Sequence, residues 1–321
     1  MTWRPTASLK QLEQRSELLR RTRQFFYSRG FCEVQTPVLG RDTVVDRHLD
    51  PIVIPGDRLG LAAGSPEHFL QTSPEFSMKR LVAAGMEAIF QIGPAFRAGE
   101  SGALHNLEFT MLEWYRAGHR FEDGLQFLSD LAVELIRVEG CDTLTYAEAM
   151  QIHAGIDVFS ATVTELATDA SKRFEVSADW SDDRDDWFDL FFSELVQPSL
   201  GGKCPVILTH YPASQSALAK LSVEDPRTAE RYELFYRGVE LANGYHELQD
   251  AEELELRNQR VNRQRASDGK HELPVESEML RAMRDGLPAC CGCALGLDRL
   301  QMVTTGASNI AEVLCFPIEH C

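Results

Sequence analysis

The sequence predicts an α+β fold, with helices packed on a mainly antiparallel sheet, and three stretches predict it. Residues 90–116 read as a hairpin. In its second arm Phe109, Met111, Glu113 and Tyr115 alternate with Glu108, Thr110, Leu112 and Trp114, the period-two pattern of a strand with two unlike faces. A second antiparallel pair lies in RYELFYRGVELANGYHEL, folding back at Arg237-Gly238. The third is ACCGCALGLDRLQMV, where small strand residues change to a helical pattern near Asp298-Arg299.

Taken in order, residues 8–30 form a helix that Ser8 caps and Gly30 stops, with Leu9, Leu12, Leu19 and Phe26 on its apolar stripe. FCEVQTPVL follows as a strand, and Pro37 suits an edge or a bulge. Such an edge either seeks a partner chain or is covered by a loop. Thr72-Ser73-Pro74-Glu75 starts a helix that runs through Met78, Leu81 and Val82 to Gly85, with Glu75 either serving the helix dipole or meeting a ligand. In the first arm of the hairpin Phe90, Ile92, Pro94 and Phe96 share a parity, while Arg97 and Gln91 take the other, beside a ten-residue connection. An arginine, a carboxylate and a phenol sent to one surface suit a charged ligand. The alternative is a two-sided sheet with incidental polar residues.

Beyond the hairpin, Phe121–Val138 is an amphipathic helix through Leu125, Leu128, Leu131, Leu135 and Ile136. Residues 140–190 are acidic and patternless, and the charge run that ends them, SADWSDDRDDWFDLFFSEL, reads as solvated surface and loop. CPVILTHYP is a strand. Glu233 and Glu240 are expected to face each other across the twisted ladder. Two unneutralised carboxylates held together are costly without a cation between them, so the pair is either a magnesium-phosphate site or two unpaired surface glutamates. Small residues around 290–296 let a ligand approach the backbone, and Arg299 can reach a phosphate.

Across 321 residues, a hydrophobic content of 44% and a charged content of 25% fit a globular chain. A single domain, 1–321, with a helical insertion at about 118–200 is expected. The 32 Lys plus Arg against 49 Asp plus Glu leave a net charge of -17, the wrong sign for extensive nucleic-acid binding. No apolar signal core or membrane-length run is present, so a cytoplasmic protein is expected. The eight cysteines are expected to be reduced, and Cys290, Cys291 and Cys293 to be small strand residues rather than metal ligands.

These residues resemble the class II aminoacyl-tRNA synthetases, specifically their lysyl branch. RGFCEVQTPVL is similar to the first motif, FRAGESGALHNLEFTMLEWY to the second and GCALGLDRL to the third. TSPEFSMKRL and GVELANGYHEL resemble the amino-acid and metal segments of the lysyl enzymes. The core begins near Met1, where lysyl synthetases carry an anticodon-binding barrel, and such a stand-alone core resembles the elongation factor P lysine ligases. HYPASQSALAK, and Ala294 in place of the usual glycine, point to that branch.

The resemblance implies a six-stranded antiparallel class II core, a homodimer, and no anticodon-binding domain. It implies ATP-dependent activation of lysine or (R)-beta-lysine as an adenylate, followed by transfer to a lysine side chain of elongation factor P. Arg97 then holds the α-phosphate, Arg299 the γ-phosphate, and Phe109 the adenine. Gly99, Glu100, His105, Asn106, Glu240, Leu241 and Gly296 complete the ATP site, and Glu233 and Glu240 hold Mg2+. Ser73, Glu75, Glu113, Tyr115, Asn243, Glu247 and Ala294 line the amino-acid pocket. The chain departs from the family pattern at Gly99, where a glutamate is usual, at Leu104 for arginine, and at Leu107 for proline. Two other readings remain: a ligase that charges tRNA or a small molecule, and a non-catalytic sensor of amino acid or nucleotide.

Overall fold

The computed structural model describes residues 3–321. The chain divides into two compact units, one made of the residues up to Arg120 together with Glu247–Cys321, the other of Phe121–His246. Helix α1 (Leu9–Tyr27) opens the first unit; the Ser8 hydroxyl accepts from the Gln11 amide, and Gly30 takes φ 77° just beyond the helix. Its buried stripe differs from the expected one. Leu18, Thr22, Phe25 and Phe26 face the core, whereas Leu9 is 74% exposed and Leu12 and Leu19 are half-buried.

Strand β1 (Cys32–Glu33) is far shorter than FCEVQTPVL suggested, and β2 (Leu39–Gly40), β3 (Ile52–Ile54) and β4 (His68–Leu70) form a separate small sheet in the order β2-β4-β3. Pro37 lies between β1 and β2, where a residue without an N–H interrupts pairing. Helix α2 (Glu75–Ala83) leads into the hairpin of β5 (Ala88–Phe96) and β6 (Glu108–Ala117). Strand β1 lies parallel to β5, with Cys32 opposite Ile89. The two faces of β6 separate as the alternation predicts. Trp114 packs on α1, its ring 5.5 Å from that of Phe26, which stacks at 4.6 Å on Phe90. Glu113 and Tyr115 point the other way.

In the second unit α3 (Phe121–Ala132) ends in a π turn at Val133–Arg137. Residues 140–190 then carry β7 (Asp142–Thr145), α4 (Tyr146–His153), α5 (Val163–Arg173) and α6 (Arg184–Phe191), the last of these in the charge run expected to be surface and loop. Two capping boxes start α4 and α5, Thr145 with Glu148 and Thr162 with Glu165. The acidic run of α6 is solvated on one side only: Trp187, Phe188 and Phe191 are fully buried against Tyr146, Met150 and Leu166. Aromatic burial outweighs the surrounding aspartates, of which Asp189 stays exposed while burial raises the Asp185 carboxyl. Strands β8 (Val206–Pro212), β9 (Thr228–Tyr236) and β10 (Val239–His246) complete this unit in the order β10-β9-β8-β7.

Returning to the first unit, α7 (Ala251–Ser267) and α8 (Glu278–Gly286) precede β11 (Cys290–Gly296) and α9 (Leu297–Thr305). Strand β11 pairs antiparallel with β6, giving the order β1-β5-β6-β11, and the three clustered cysteines are buried strand residues. The two units thus carry eight main-sheet strands among the described residues, not six. The additional two are the short edge strands β1 and β7, each parallel to its neighbour and too short to show a period.

A buried charge fastens three elements of the first unit. Asp298, 2% exposed at the start of α9, lies 2.7 Å from Arg15 of α1 and accepts from the Thr110 amide of β6 at 2.6 Å. Arg15 also donates to the Thr110 hydroxyl and to Gln301. Phe109 and Arg299 are the sequence neighbours of these anchored residues, so the clamp fixes where both start.

The capped, aromatic-cored 140–190 segment has a measurable consequence. Phe188→Ala is expected to destabilise the chain by about 3–5 kcal/mol and Thr162→Ala by about 1 kcal/mol in urea denaturation. Losses below about 0.5 kcal/mol for both, as for surface positions, would contradict this packing and capping.

Candidate active site

The first unit gathers three glutamates from three elements around one lysine. Glu75 comes from the first turn of α2, Glu113 from the inner face of β6, and Glu247 from the segment leading to α7, where its amide donates to the Cys290 carbonyl of β11. Lys79 lies one turn after Glu75 on α2, the i,i+4 spacing that brings two side chains together. Its ammonium is 2.5 Å from Glu75 Oε1 and 2.5 Å from Glu247 Oε2. Glu113 accepts from the Ser73 hydroxyl at 2.6 Å and from the Tyr115 hydroxyl at 2.7 Å. All these groups except Ser73 are buried, Lys79 and Glu113 each being 2% exposed and Glu247 1%.

Burial raises the carboxyl pKa of both Glu113 and Glu247 to about 8, and the neighbouring Glu75 pushes in the same direction. Lys79 and the hydroxyls pull the other way without overcoming desolvation. The Tyr115 hydroxyl is likewise held well above its ordinary range, by burial first and the three carboxylates next. Such a cluster has more carboxyl groups than its one ammonium neutralises, which suits a ligand that brings positive charge.

Close approach here depends on a glycine. A Cβ at Gly292 of β11 would lie 2.2 Å from the Tyr115 ring and 2.5 Å from Glu247 Oε1, so any side chain there displaces both. Ala294, two residues on, sits opposite Glu113 in the ladder. The hairpin, Glu75 and Ala294 were singled out from the sequence and lie in or beside this cluster, but Lys79 and Gly292 were not singled out. For Lys79 the signal was present in the Glu75-to-Lys79 spacing; for Gly292 it lies only in the packing.

The connection between β5 and β6 forms a second cluster in the same unit. The Arg97 guanidinium stands 4.9 Å over the Phe109 ring and 3.6 Å from Glu100. Arg299 donates to the Leu104 carbonyl and lies 2.6 Å from His105 Nε2. Gly99 takes φ 78°, a left-handed turn that a glutamate resists. Gly296 caps α9 with no side chain, and the first atom of a side chain there would meet nothing closer than Arg299 Cβ at 3.9 Å. Asn106 is engaged otherwise: its carboxamide donates to the Glu108 carbonyl and accepts from the Ile318 amide, which ties the connection to the C-terminal residues.

Glu233, Glu240, Leu241 and Asn243 lie in the second unit, and their register corrects the sequence reading. Glu233 is opposite Asn243 and Glu240 is opposite Phe235, so the two glutamates are diagonal neighbours rather than a facing pair. An irregularity between Glu240 and Ala242, with the buried Leu241 at its centre, shifts the parity and leaves Glu233, Glu240 and Asn243 on one face. Nor is Glu233 unneutralised: Arg231 lies 2.5 Å away. Burial still holds its carboxyl above the ordinary value, with Arg231 opposing and Glu240 adding to the shift. Asn243 Oδ1 is buried without a hydrogen-bond partner among the described residues. Two carboxylates and an orphaned amide oxygen on one face are the oxygen donors a hard divalent cation takes.

A family model for tRNA synthetases class II (D, K and N) matches residues 1–320. Among curated proteins, the elongation factor P–(R)-beta-lysine ligases of Salmonella arizonae, Salmonella dublin and Salmonella paratyphi B are each 42% identical over 325 residues, spanning 99% of this chain and 98% of the relative.

The raised carboxyls fix a sign for stability. A carboxyl whose folded-state value is about 8, against an ordinary 4.5, makes the ligand-free fold less stable as pH climbs through that interval. Glu113→Gln removes this cost. Relative to the unaltered chain its melting temperature is expected to rise by about 2–4 °C on going from pH 5 to pH 8.5, measured by calorimetry without ligand. A difference that does not change with pH would mean that Glu113 is ionised in the fold without strain.

Proposed function

Because the chain belongs to the class II tRNA synthetases of the D, K and N type, we propose that it is an ATP-dependent ligase that activates a lysine-type amino acid and joins it to a lysine side chain of elongation factor P. Supporting this most directly is the buried cluster of Glu75, Glu113 and Glu247 around Lys79, whose surplus carboxylate suits an amino acid with two ammonium groups. The relatives' names favour (R)-beta-lysine over lysine.

The reaction divides into two displacements. The amino-acid carboxylate attacks the α-phosphorus of ATP, the bond between the α-phosphorus and the bridging oxygen breaks, and pyrophosphate leaves. The acceptor amine then attacks the acyl carbon, AMP leaves, and the amine loses a proton. Two anions meet in the first step, so positive charge must be in place beforehand. In this reading Arg97 holds the α-phosphate, and Arg299 with His105 holds the outer phosphates. Glu100, Gly99, Asn106, Leu241 and Gly296 shape the nucleotide site, and Phe109 offers its ring to the adenine, which requires Arg97 to move off that face. Glu233, Glu240 and Asn243 are the residues that would hold magnesium, whose charge would offset that of the phosphates.

Within the pocket Glu75 meets the backbone ammonium, and Glu247 with Tyr115 the side-chain ammonium, with Ser73, Glu113 and Ala294 beneath. A homodimer and a cytoplasmic setting belong to the same proposal; no helix among the described residues is long and apolar enough to cross a membrane. The net charge of -17 gives little support to tRNA as the acyl acceptor.

Incubation with ATP, magnesium and each lysine isomer is expected to add one lysyl unit to a lysine of elongation factor P, read by peptide mass spectrometry, and to leave tRNA unlabelled. Transfer to tRNA alone would refute the proposed acceptor. Because Glu247 must be ionised to receive the side-chain ammonium, kcat/KM for the amino acid should fall about tenfold per pH unit below about 8. Arg97→Met should lower pyrophosphate exchange by about 10²–10³-fold; a change under threefold would remove Arg97 from the first step.

A further inference from the structure

Lys79 has no place in the roles assigned above, yet it is the one buried ammonium among the three glutamates. Its ammonium contacts Glu75 on its own helix and Glu247 on the segment leading to α7. From β6 it is faced by Glu113 and by the Tyr115 ring, whose centre is 5.9 Å away, and from β11 by the Cys290 thiol. With both carboxylate contacts made and only 2% of its surface exposed, it is poorly placed to serve as a further substrate ligand.

We propose that Lys79 is a positioning residue that sets the charge of the amino-acid pocket. By bridging Glu75 and Glu247 it leaves three carboxylates two negative charges in excess, the complement of a substrate with two ammonium groups. This rests on the reading of the cluster as an amino-acid site. Without Lys79 the same three carboxylates would face a two-fold cation with one charge uncompensated, and one of them, Glu247 first, would take up a proton. Substrate discrimination would then weaken at the side-chain end of the pocket although no group that touches substrate had changed. An ordinary α2 salt bridge between residues 75 and 79 would explain one contact; the second, to Glu247 from a different element, is what makes Lys79 a charge-setting group.

The test compares Lys79→Met and Lys79→Arg in the full chain by two readouts. In ligand-free thermal unfolding between pH 6 and pH 9, Lys79→Met should lose progressively more stability as pH rises, because ionising three buried carboxylates becomes harder. In lysine-dependent pyrophosphate exchange its acid limb should move up by about one pH unit or more, with KM raised at least tenfold and kcat changed less, while Lys79→Arg keeps the limb near its original position. A stability loss equal at every pH, an unmoved limb with a uniform fall in kcat/KM, or an arginine variant as impaired as the methionine one would overturn the proposal. Should Lys79→Met not fold, Lys79→Met/Glu247→Gln, which removes one charge of each sign, is expected to fold; its failure would assign Lys79 to packing alone. If the unaltered chain shows no lysine-dependent exchange, the amino-acid reading itself falls, and the unfolding profile still decides whether Lys79 sets the local charge.

Discussion

Three carboxylates taken out of water and one ammonium placed among them form the constraint on which the site depends. At an effective dielectric near 20, two unit charges about 4 Å apart interact by about 4 kcal/mol, so neither the repulsion among Glu75, Glu113 and Glu247 nor the attraction of Lys79 is a detail. Desolvation dominates in the ligand-free chain, which is why burial is the first cause of the raised Glu113 and Glu247 carboxyls. A fold tolerates such a group only if something recovers the cost. A doubly charged ligand would do so, and the strain left without it becomes selectivity, since a substrate lacking one ammonium leaves a carboxylate unpaired.

The supporting structure is arranged to hold those charges still. Strand β6 supplies Glu113 and Tyr115 from one face and Leu112 and Trp114 from the other, so the hydrophobic contact with α1 and the polar floor are set by the same ten residues. Strand β11 lies alongside with Gly292 in register with Tyr115, and the missing side chain is what lets the phenol ring and Glu247 approach. Asp298 and Arg15 lock α1, β6 and α9 at the other end of β6, next to Phe109 and Arg299. The nucleotide and amino-acid sides of the proposed site therefore share one rigid strand, and an error in its register would move both.

Much of this was legible in the sequence where a local period or motif carries it. The alternation from Glu108 to Tyr115 assigned both faces of β6 correctly, the Arg237-Gly238 turn located the second hairpin, and the change from strand to helix after Gly296 is where the sequence puts it. Illegible features depended on tertiary context. The irregularity between Glu240 and Ala242 shifts a register that spacing alone cannot reveal, and Arg231 neutralises Glu233 from two residues away along the same strand. The charge run ending near residue 190 was misread as surface and loop because its aspartates hid Trp187, Phe188 and Phe191, and the Thr145–Glu148 and Thr162–Glu165 boxes that start the helices before it were not singled out. Lys79 was passed over because a lysine in an amphipathic helix is ordinarily solvated, and only the packing of α2 beside Glu247 makes it otherwise.

The claim that the pocket is built for two positive charges is tested most directly by calorimetric binding of lysine or beta-lysine against norleucine and 6-aminohexanoate, each of which lacks one ammonium group. Charge matching predicts that either omission weakens binding by about 10²-fold or more, with proton release near neutral pH accompanying lysine and less of it accompanying norleucine, whose side chain leaves Glu247 unpaired and protonated. Norleucine binding within threefold of lysine, with the same proton release, would contradict the account.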